Sequence, residues 1–293
     1  MKVVAAYRSC ILCPRACKVD RLAGEYGICG ELGGMRIASV GLHFGEEPIL
    51  VGSGGSGTIF FTGCSLHCQF CQNMDISQAR SPAGTPVSIE ELATLMRNLQ
   101  RQGAININVV TPTHFSPSII ASVKLAQERG LQLPLVYNTS GYECVEVLKE
   151  VDPMVDLYLL DIKTLDRGVA AHYCGSADYP EVVKQAVSYI AEHKPTTWVD
   201  RSGNLRGTLV RHLIYPNTFY ATKEFLHWYA ETFSEQSWLS LLTHFYTPST
   251  GDRSFVLSPK EYEELLDLLA SLNLHRGYIS CPDGRSKMLS ELF

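Results

Sequence analysis

Short apolar runs alternate with amphipathic stretches along most of the chain after residue 57. The runs are rich in β-branched and aromatic residues and predict six strands, at residues 58–63, 106–111, 133–140, 156–163, 209–216 and 238–248. The stretches between them carry apolar residues at helical spacing. Strands that alternate with helices are typical of a parallel sheet. The pattern therefore predicts an α/β fold in which six parallel strands form a partial (β/α)6 barrel.

Two of the intervening helices have recognisable start signals. Ser88 is followed three residues later by Glu91, just before the stretch "LATLMRNLQRQGA". Ser258 is followed by Pro259 and Glu261, before "YEELLDLLASLNL". Both patterns are capping boxes, and proline is well tolerated in the first helical turn. We expect a helix to begin at each of these serines.

Residues 1–57 do not share the strand and helix alternation. The segment before residue 52 mixes apolar residues with glycine, and "GSGGSG" follows at residues 52–57. This glycine run lacks the Lys and Ser or Thr of a phosphate-binding loop, so we interpret it as a linker or as an anchor for the loop beyond it. We expect a small cysteine-rich module and its lead-in at residues 1–57, and the barrel at residues 58–293.

Composition and charge exclude several classes of protein. The chain is 45% hydrophobic and 19% charged, which excludes disorder, and its net charge of −5 is spread without basic runs. We therefore expect no general nucleic-acid-binding surface. The start, "MKVVAAYRSC", is too short in apolar residues for a signal peptide, and no later run approaches the length of a membrane span. These features predict a cytoplasmic protein without a membrane segment.

Polar or small residues follow most of the predicted strands. In parallel α/β folds the ligand lies outside the carboxyl ends of the strands, so we expect these clusters to meet at one opening. The clusters are Gly63-Cys64, Thr111 to His114, Asn138 to Gly141, Asp161 to Lys163, and His244 to Tyr246.

Cysteine is the unusual feature of the composition. Seven of the ten cysteines fall in the first 71 residues. Without a secretory signal they are better explained as reduced thiols that bind metal or perform redox chemistry than as disulfides.

Cys64, Cys68 and Cys71 lie within eight positions, with no fourth cysteine nearby. A 4Fe-4S cluster has four irons, each normally bound by one thiolate, so three cysteines leave one iron open for a substrate or cofactor. The alternative is a zinc ion with His67 as fourth ligand. Because His67 immediately precedes Cys68, binding the same ion would strain the loop, so we favour the cluster.

Cys10, Cys13, Cys17 and Cys29 form a second group, large enough to saturate a metal site. The spacing fits structural zinc or an accessory iron-sulfur cluster. Similarity to zinc knuckles favours zinc slightly, whereas a second cluster could relay electrons to the first. Unliganded structural cysteines are the third alternative. Cys144, Cys174 and Cys281 are isolated in sequence, and we interpret them as packed apolar residues.

The spacing Cys64-x-x-x-Cys68-x-Phe70-Cys71 after a first barrel strand resembles the signature of the radical S-adenosylmethionine (SAM) superfamily. This resemblance implies a 4Fe-4S cluster whose open iron binds the amino and carboxyl groups of SAM. One electron, supplied by a reductant such as flavodoxin or ferredoxin, then cleaves the sulfonium to give a 5′-deoxyadenosyl radical. The cofactor performs the chemistry, and the protein positions it.

The resemblance extends over nearly the whole chain. The stretches "CILCPRACKVDRLAGEYGICG", "GEEP", "GSGTIFFTGCSLHCQFCQN", "VTPTH", "YNTSGY", "LLDIK" and "VRHLIYP" are similar to an uncharacterised family of pyruvate formate-lyase activating enzyme homologues. It implies that Asp161 and Lys163 approach the nucleoside, unless they form only an ion pair at a strand end. It also implies that Phe70 belongs to the cofactor site, and that Asn138, Thr139 and Ser140 can reach the ribose.

One segment departs from that family. Activating enzymes carry Gly-Gly-Glu-Pro after the second strand, where this chain has Thr111-Pro112-Thr113. A backbone contact to the amino group of the cofactor needs no particular side chain, so Thr111 and Thr113 remain candidates. His114 acts on substrate or caps the next helix, and we favour the cap.

The resemblance implies an oxidoreductase that abstracts hydrogen from a protein or peptide, as the activating enzymes of glycyl-radical enzymes do. Modification of RNA or of a small metabolite is the alternative within this class, and a zinc-stabilised, non-catalytic scaffold is the alternative outside it. The sequence alone assigns no catalytic residue. Arg211 and His212 either contact a carboxylate or phosphate or pair with acidic residues, and Glu46 and Glu47 form an acidic pair of unassigned role.

Overall fold

The structure is a computed structural model that describes residues 3–78, 84–247, 251 and 253–292. Its strands are β1 Met35–His43, β2 Ser56–Phe61, β3 Thr85–Val87, β4 Ile107–Val110, β5 Leu135–Thr139, β6 Leu157–Asp161, β7 Trp198–Val199, β8 Leu205–Leu213, β9 Trp238–Leu242, β10 His244–Tyr246, β11 Arg253–Phe255, β12 Gly277–Ser280 and β13 Ser286–Met288. Its α-helices are α1 Val3–Arg8, α2 Pro48–Val51, α3 Met74–Ser77, α4 Ile89–Arg101, α5 Ser116–Glu128, α6 Val145–Val151, α7 Arg167–Val169, α8 Tyr179–His193, α9 Phe219–Thr232 and α10 Pro259–Ser271.

Parallel strands form the centre of the main sheet, in the order β2-β4-β5-β6-β8-β9-β12. The first six correspond to the six predicted strands, with ends that differ by a few residues, which confirms the predicted α/β barrel-type fold. The sequence did not reveal β12, because its four residues make too short an apolar run. Gly277 allows this strand to lie close, since a Cβ there would stand 1.8 Å from the Leu239 carbonyl oxygen.

Antiparallel strands extend both edges of this sheet. β1 pairs with β2, and β3 pairs with β1, while β13 pairs with β12 at the other edge. The predicted division of the chain at residue 57 stays a prediction, although β2 begins at Ser56 and pairs with the segment before it. The glycines there are tightly packed, because a Cβ at Gly54 would lie 2.1 Å from the Gly103 oxygen. These glycines therefore allow two backbone segments to pack closely, and they do not act as a flexible linker.

The last predicted strand is too long. It ends at Leu242, because the Thr243 hydroxyl donates to the Ser280 carbonyl at 2.7 Å and the chain then turns. The next residues form a separate hairpin in which β10 pairs with β11. Pro248, the end of the predicted strand, lies outside the described residues.

Both predicted helix starts are confirmed. Ser88 and Glu91 form a reciprocal capping box at the start of α4, and Ser258 and Glu261 form one at the start of α10. The apolar face of α4 places Leu92, Ala93, Met96 and Leu99 in the core. Full burial of one leucine side chain contributes about 1.5–3 kcal/mol, so the spacing that predicted the helix also anchors it.

The short helix α2 closes one end of the barrel. Leu50 is buried against residues from the first halves of the parallel strands, namely Val136, Leu157, Leu159, Leu205 and Leu209. The Asn106 amide donates to the Leu50 carbonyl at 2.8 Å, and Ser56 donates to the Asn106 side-chain oxygen at 2.6 Å. Because this packing fills the amino ends of the strands, open space is left at their carboxyl ends.

Within the described ranges, no helix combines the length and the apolar character needed to cross a membrane.

Candidate functional site

The carboxyl ends of the parallel strands surround one cavity of about 610 Å³. All five polar clusters predicted to meet at one opening contribute to its wall, which confirms their convergence. The predicted site residues that line it are Cys64, Cys68, Phe70, Cys71, Thr111, Asn138, Thr139, Ser140, Asp161 and Lys163.

The three cysteines of the loop after β2 face this cavity as free thiols. The Leu66 N–H donates to the Cys64 Sγ at 3.4 Å, and the Ser77 hydroxyl donates to the Cys71 Sγ at 3.3 Å. Burial and the neighbouring thiol of Cys68 raise the pKa of Cys64 to about 11. Such a thiol loses its proton when it binds metal. Three thiols on one cavity wall, with donors already directed at two sulfurs, fit an iron-sulfur cluster.

His67 does not share this wall. Its φ of 59° is in the left-handed region, and its ring does not line the cavity that the three thiols line. Burial and the nearby charge of Arg15 lower the pKa of His67. The placement gives no support to a zinc site completed by this histidine.

Aromatic side chains pack against the cysteine loop at Phe70. The Phe70 ring meets the Tyr215 ring edge-on at 4.8 Å, and the Tyr173 and Tyr215 rings stack at 4.5 Å. The thiol of the buried Cys174 neighbours Cys68, and this interaction together with burial raises the pKa of Cys68. No sequence pattern predicts this contact, because Cys174 lies about a hundred residues further along the chain.

Asp161 and Lys163 form an ion pair at the end of β6, with the Lys163 Nζ 2.7 Å from the Asp161 carboxylate. Burial opposes the charge of Lys163, but Asp161 outweighs it and holds the pKa of the lysine above its ordinary value. The Tyr179 hydroxyl accepts from the Lys163 N–H at 2.9 Å and donates to the Ser140 carbonyl at 2.7 Å. Tyr179, which the sequence did not single out, thus fixes two neighbouring strand ends.

His212 supports this strand end from the adjacent strand β8. Its Nδ1–H donates to the Ile162 carbonyl at 2.9 Å, and its Nε2 accepts from the Thr222 hydroxyl at 3.1 Å, which assigns the neutral tautomer. Burial lowers the pKa of His212 to about 4. The sequence suggested that His212 contacts a ligand or pairs with an acidic residue. Its two hydrogen bonds go instead to the Ile162 carbonyl and the Thr222 hydroxyl.

The depressed pKa of His212 predicts a loss of stability in acid. The unfolded chain takes up the proton near pH 6.5 and the folded chain near pH 4, so stability is present above pH 6.5 and is lost as the pH falls. Between pH 8 and pH 5 the expected contribution is about 2 kcal/mol in the free energy of unfolding. Denaturant unfolding at both pH values measures it.

His212→Gln should lose this part of the pH dependence, because glutamine keeps a donor and an acceptor but does not titrate. The exposed His227 on α9 provides the control substitution, His227→Gln. Equal pH dependence of wild type and His212→Gln would contradict the assignment.

The three candidate residues after β4, Thr111, Thr113 and His114, differ in whether they face the cavity. Thr111 has a φ of 55°, a strained conformation for a β-branched residue that glycine adopts freely, and it lines the cavity. Thr113 is buried outside the cavity wall and donates to the Glu143 carboxylate at 2.6 Å. Burial raises the pKa of Glu143 to about 7, although Thr113 and Thr139 both donate to it.

The expected helix cap at His114 is wrong. Its Nε2 lies 2.7 Å from the Thr62 carbonyl, and Phe115 stands at the cap of α5 without a side-chain hydrogen bond. Burial, with the neighbouring charge of Arg21, lowers the pKa of His114 to about 3. The neutral ring therefore joins the turn after β4 to the end of β2.

A buried ion cluster forms another part of the cavity wall. The Arg211 guanidinium binds both Glu46 and Glu47, with its Nε donating to Glu47 at 2.8 Å. Burial opposes the charge of Glu47, but Arg211 outweighs it and holds the pKa of that carboxyl below its ordinary value. The "GEEP" acidic pair thus pairs with Arg211 inside the barrel.

The N-terminal cysteines lie directly beside the cysteine loop. Cys10, Cys13 and Cys29 are buried and Cys17 is half-buried. The Cys64 N–H donates to the Cys29 carbonyl at 3.3 Å, and the Arg15 side chain donates to the Ser65 carbonyl at 2.8 Å. Within the described residues, no three cysteine, histidine or acidic side chains are arranged around a single metal ion.

A family model described as the radical SAM superfamily matches residues 58–207, which include the cysteine loop and four of the parallel strands. The chain belongs to this superfamily. Membership indicates an enzyme of the radical SAM class, whose members use a 4Fe-4S cluster and SAM and typically need a reductant.

An uncharacterized protein of Methanocaldococcus jannaschii is 28% identical over 218 residues, which are 72% of this chain and 58% of the relative. The chain thus spans less than two thirds of that relative's length.

Two solved structures share the fold. A radical SAM methyltransferase from Sphaerobacter thermophilus is 12% identical, with a TM-score of 0.53 over 79% of this chain and 70% of that one. HydG, a maturase of the FeFe-hydrogenase, is 13% identical, with a TM-score of 0.52 over 76% of this chain and 50% of that one. Similarity at this level of identity concerns the fold alone.

Proposed function

We propose that this protein binds a 4Fe-4S cluster at Cys64, Cys68 and Cys71 and uses SAM to abstract hydrogen from a protein or peptide substrate. One observation carries the proposal: three thiols of one loop and the polar ends of the parallel strands line the same cavity. A cluster held by these three cysteines would supply the one electron that breaks the C5′–S bond of SAM, which would leave methionine and a 5′-deoxyadenosyl radical.

The residues of the chain bind SAM, orient it and shield it from solvent. Asn138 and Ser140 present an amide and a hydroxyl group at the end of β5, where ribose hydroxyls can be bound, whereas the Thr139 hydroxyl already donates to Glu143. The Asp161 carboxylate, fixed by Lys163, is an acceptor one strand further along. Phe70 offers an apolar surface beside the cysteines. Phe70, Asn138 and Thr139 are buried, and such burial limits the access of water to the reacting centre.

Two features support a peptide substrate. The cavity opens at the carboxyl ends of the strands, beside the edge strand β13, of which Ser286 lines the wall. In the described part of the chain, no strand pairs with the outer edge of β13. An extended peptide can add to such an edge through main-chain hydrogen bonds and so enter the opening.

Asp161→Asn tests the role of the strand end in cofactor binding. Loss of a charged hydrogen-bond partner costs about 1.5–3 kcal/mol, so we expect SAM to bind about 10- to 100-fold more weakly. Equilibrium binding to the anaerobically reconstituted protein measures this. Asp200→Asn, which removes a carboxylate paired with Arg206 at the amino end of β8, is the matched control. Equal affinities in both variants would exclude Asp161 from the cofactor site.

The substrate class is tested by following deuterium. Reduced enzyme and SAM are mixed with an extract from cells grown on deuterated nutrients, and deuterium in 5′-deoxyadenosine is measured by mass spectrometry. For a protein or peptide substrate, the label should come from the macromolecular fraction and disappear after protease but not after ribonuclease treatment. Label that follows the ribonuclease-sensitive or the small-molecule fraction would instead establish the alternative substrate. Formation of no 5′-deoxyadenosine would overturn the proposed function itself.

A further inference from the structure

The N-terminal cysteines are brought together by the backbone of their own loop. The Cys10 N–H donates to the Val19 carbonyl at 3.1 Å and the Lys18 N–H donates to the Cys10 carbonyl at 2.9 Å, which places Cys17 beside Cys10. A Cβ at Gly27 would lie 3.1 Å from the Cys29 Sγ and 3.7 Å from the Cys17 Sγ. Thiols from the two ends of this segment therefore flank the same point.

Arg21 attaches this loop to the barrel. It is 1% exposed, and its guanidinium donates to the His114 carbonyl and to the Leu32 carbonyl, each at 2.6 Å. The same guanidinium lies 4.8 Å from the centre of the Tyr7 ring and 3.8 Å from the Cys10 Sγ. These contacts hold the Cys10 end of the loop against the barrel.

A fifth thiol reaches the group from the barrel. The Cys144 Sγ lies 3.8 Å from the carbonyl oxygen of Ile11, one of the two residues between Cys10 and Cys13. Burial raises the pKa of Cys13 to about 12, and the thiols of Cys29, Cys10 and Cys144 add to this. Cys144, which is isolated in sequence, is therefore a neighbour of the N-terminal cysteines in space.

A single zinc ion does not fit this arrangement. Zinc holds its sulfur ligands about 2.3 Å from one centre. Within the described residues, no three candidate ligands converge in this way, and this holds for the N-terminal cysteines as it does for Cys64, Cys68 and Cys71. The thiolates of an iron-sulfur cluster bind separate irons and stand further apart. The thiols around the Cys10–Cys29 segment suit the second type of site.

We propose that Cys10, Cys13, Cys29 and Cys144 hold a 4Fe-4S cluster, one thiolate for each iron, so that the cluster joins the N-terminal segment to the barrel. The site is independent of the proposed reaction. It is adjacent to the loop of Cys64, because a single backbone hydrogen bond links Cys29 to Cys64.

The test uses the full chain with Cys64, Cys68 and Cys71 replaced by alanine, so that iron at the other site does not contribute. After anaerobic reconstitution, iron, sulfide and zinc are quantified per chain, and the dithionite-reduced protein is examined by electron paramagnetic resonance. We expect about four irons and about four sulfides per chain. Adding Cys144→Ser should lower the iron content at least twofold or change the spectrum, whereas Cys281→Ser, at a buried thiol elsewhere, should change neither.

One zinc per chain without sulfide would overturn the proposal, and so would a Cys144→Ser protein with unchanged iron and spectrum. Because Cys144→Ser can also destabilise the fold, alkylation of the unaltered chain provides a second measurement. As a ligand, Cys144 should resist N-ethylmaleimide until iron is removed by a chelator, then react at least tenfold faster. An unchanged alkylation rate would exclude it. Neither readout requires SAM cleavage, so this proposal and the proposed function fail independently.

Discussion

Replacement of Cys64, Cys68 and Cys71 together by alanine is expected to abolish SAM cleavage. Alanine offers no ligand, so about four irons per chain should be lost and 5′-deoxyadenosine should fall to the level of a mixture without protein. Iron analysis and liquid chromatography after dithionite reduction measure both quantities. Any iron that remains belongs to another site, such as that of the N-terminal cysteines.

Cys281→Ala serves as the control for this triple replacement. Cys281 is also buried, but it lies at the end of β12 and does not line the cavity. This variant should keep the iron content and the rate of the wild type. A triple variant that still cleaves SAM would show that the cluster ligands lie elsewhere and would remove the basis of the proposed function.

Arg211→Met is expected to lower the free energy of unfolding by about 3–5 kcal/mol. Removal of one member of a buried ion pair leaves an uncompensated charge, and this variant leaves two carboxylates without their cation. Denaturant unfolding at pH 8 measures the loss. The variant should recover part of its stability at lower pH, because the unpaired carboxyls then take up protons.

The triple variant Glu46→Gln, Glu47→Gln, Arg211→Met distinguishes lost charge pairing from lost packing. With no charge left to bury, it should be more stable at pH 8 than Arg211→Met alone. As an exposed control, Arg167→Met removes a surface pair with Glu181 and should change stability by no more than about 1 kcal/mol. Equal losses in the triple variant and in Arg211→Met would assign the effect to the packing of the arginine side chain.

The features that the sequence predicted are local ones. A capping box such as Ser88 with Glu91 is complete within four residues, and six of the seven parallel strands in the described structure appear as apolar runs. The Cys64 triplet is equally local. The placement of Asn138 and Asp161 on one wall followed from a topological rule, because the carboxyl ends of parallel strands lie on the same side.

The features that the sequence missed depend on contacts between distant segments. Glu46 and Arg211 meet only because α2 enters the barrel, and Cys144 meets Cys13 only because α6 begins beside the N-terminal loop. Neither contact has a periodic signal. Conversely, Thr113 follows a predicted strand end, but the turn after β4 directs its hydroxyl to Glu143 and away from the cavity. A rule that places strand ends does not determine side-chain direction beyond them.

The closed end of the barrel has a kinetic consequence. Because Leu50 and its neighbours fill the amino ends of the strands, molecules enter and leave the cavity at the carboxyl ends. A small molecule that binds deep beside Cys64 is therefore covered by any larger molecule that occupies the opening. Binding in such a site is sequential, because the smaller molecule must enter before the larger one and can leave only after it. While the larger molecule is bound, it blocks the release of the smaller one.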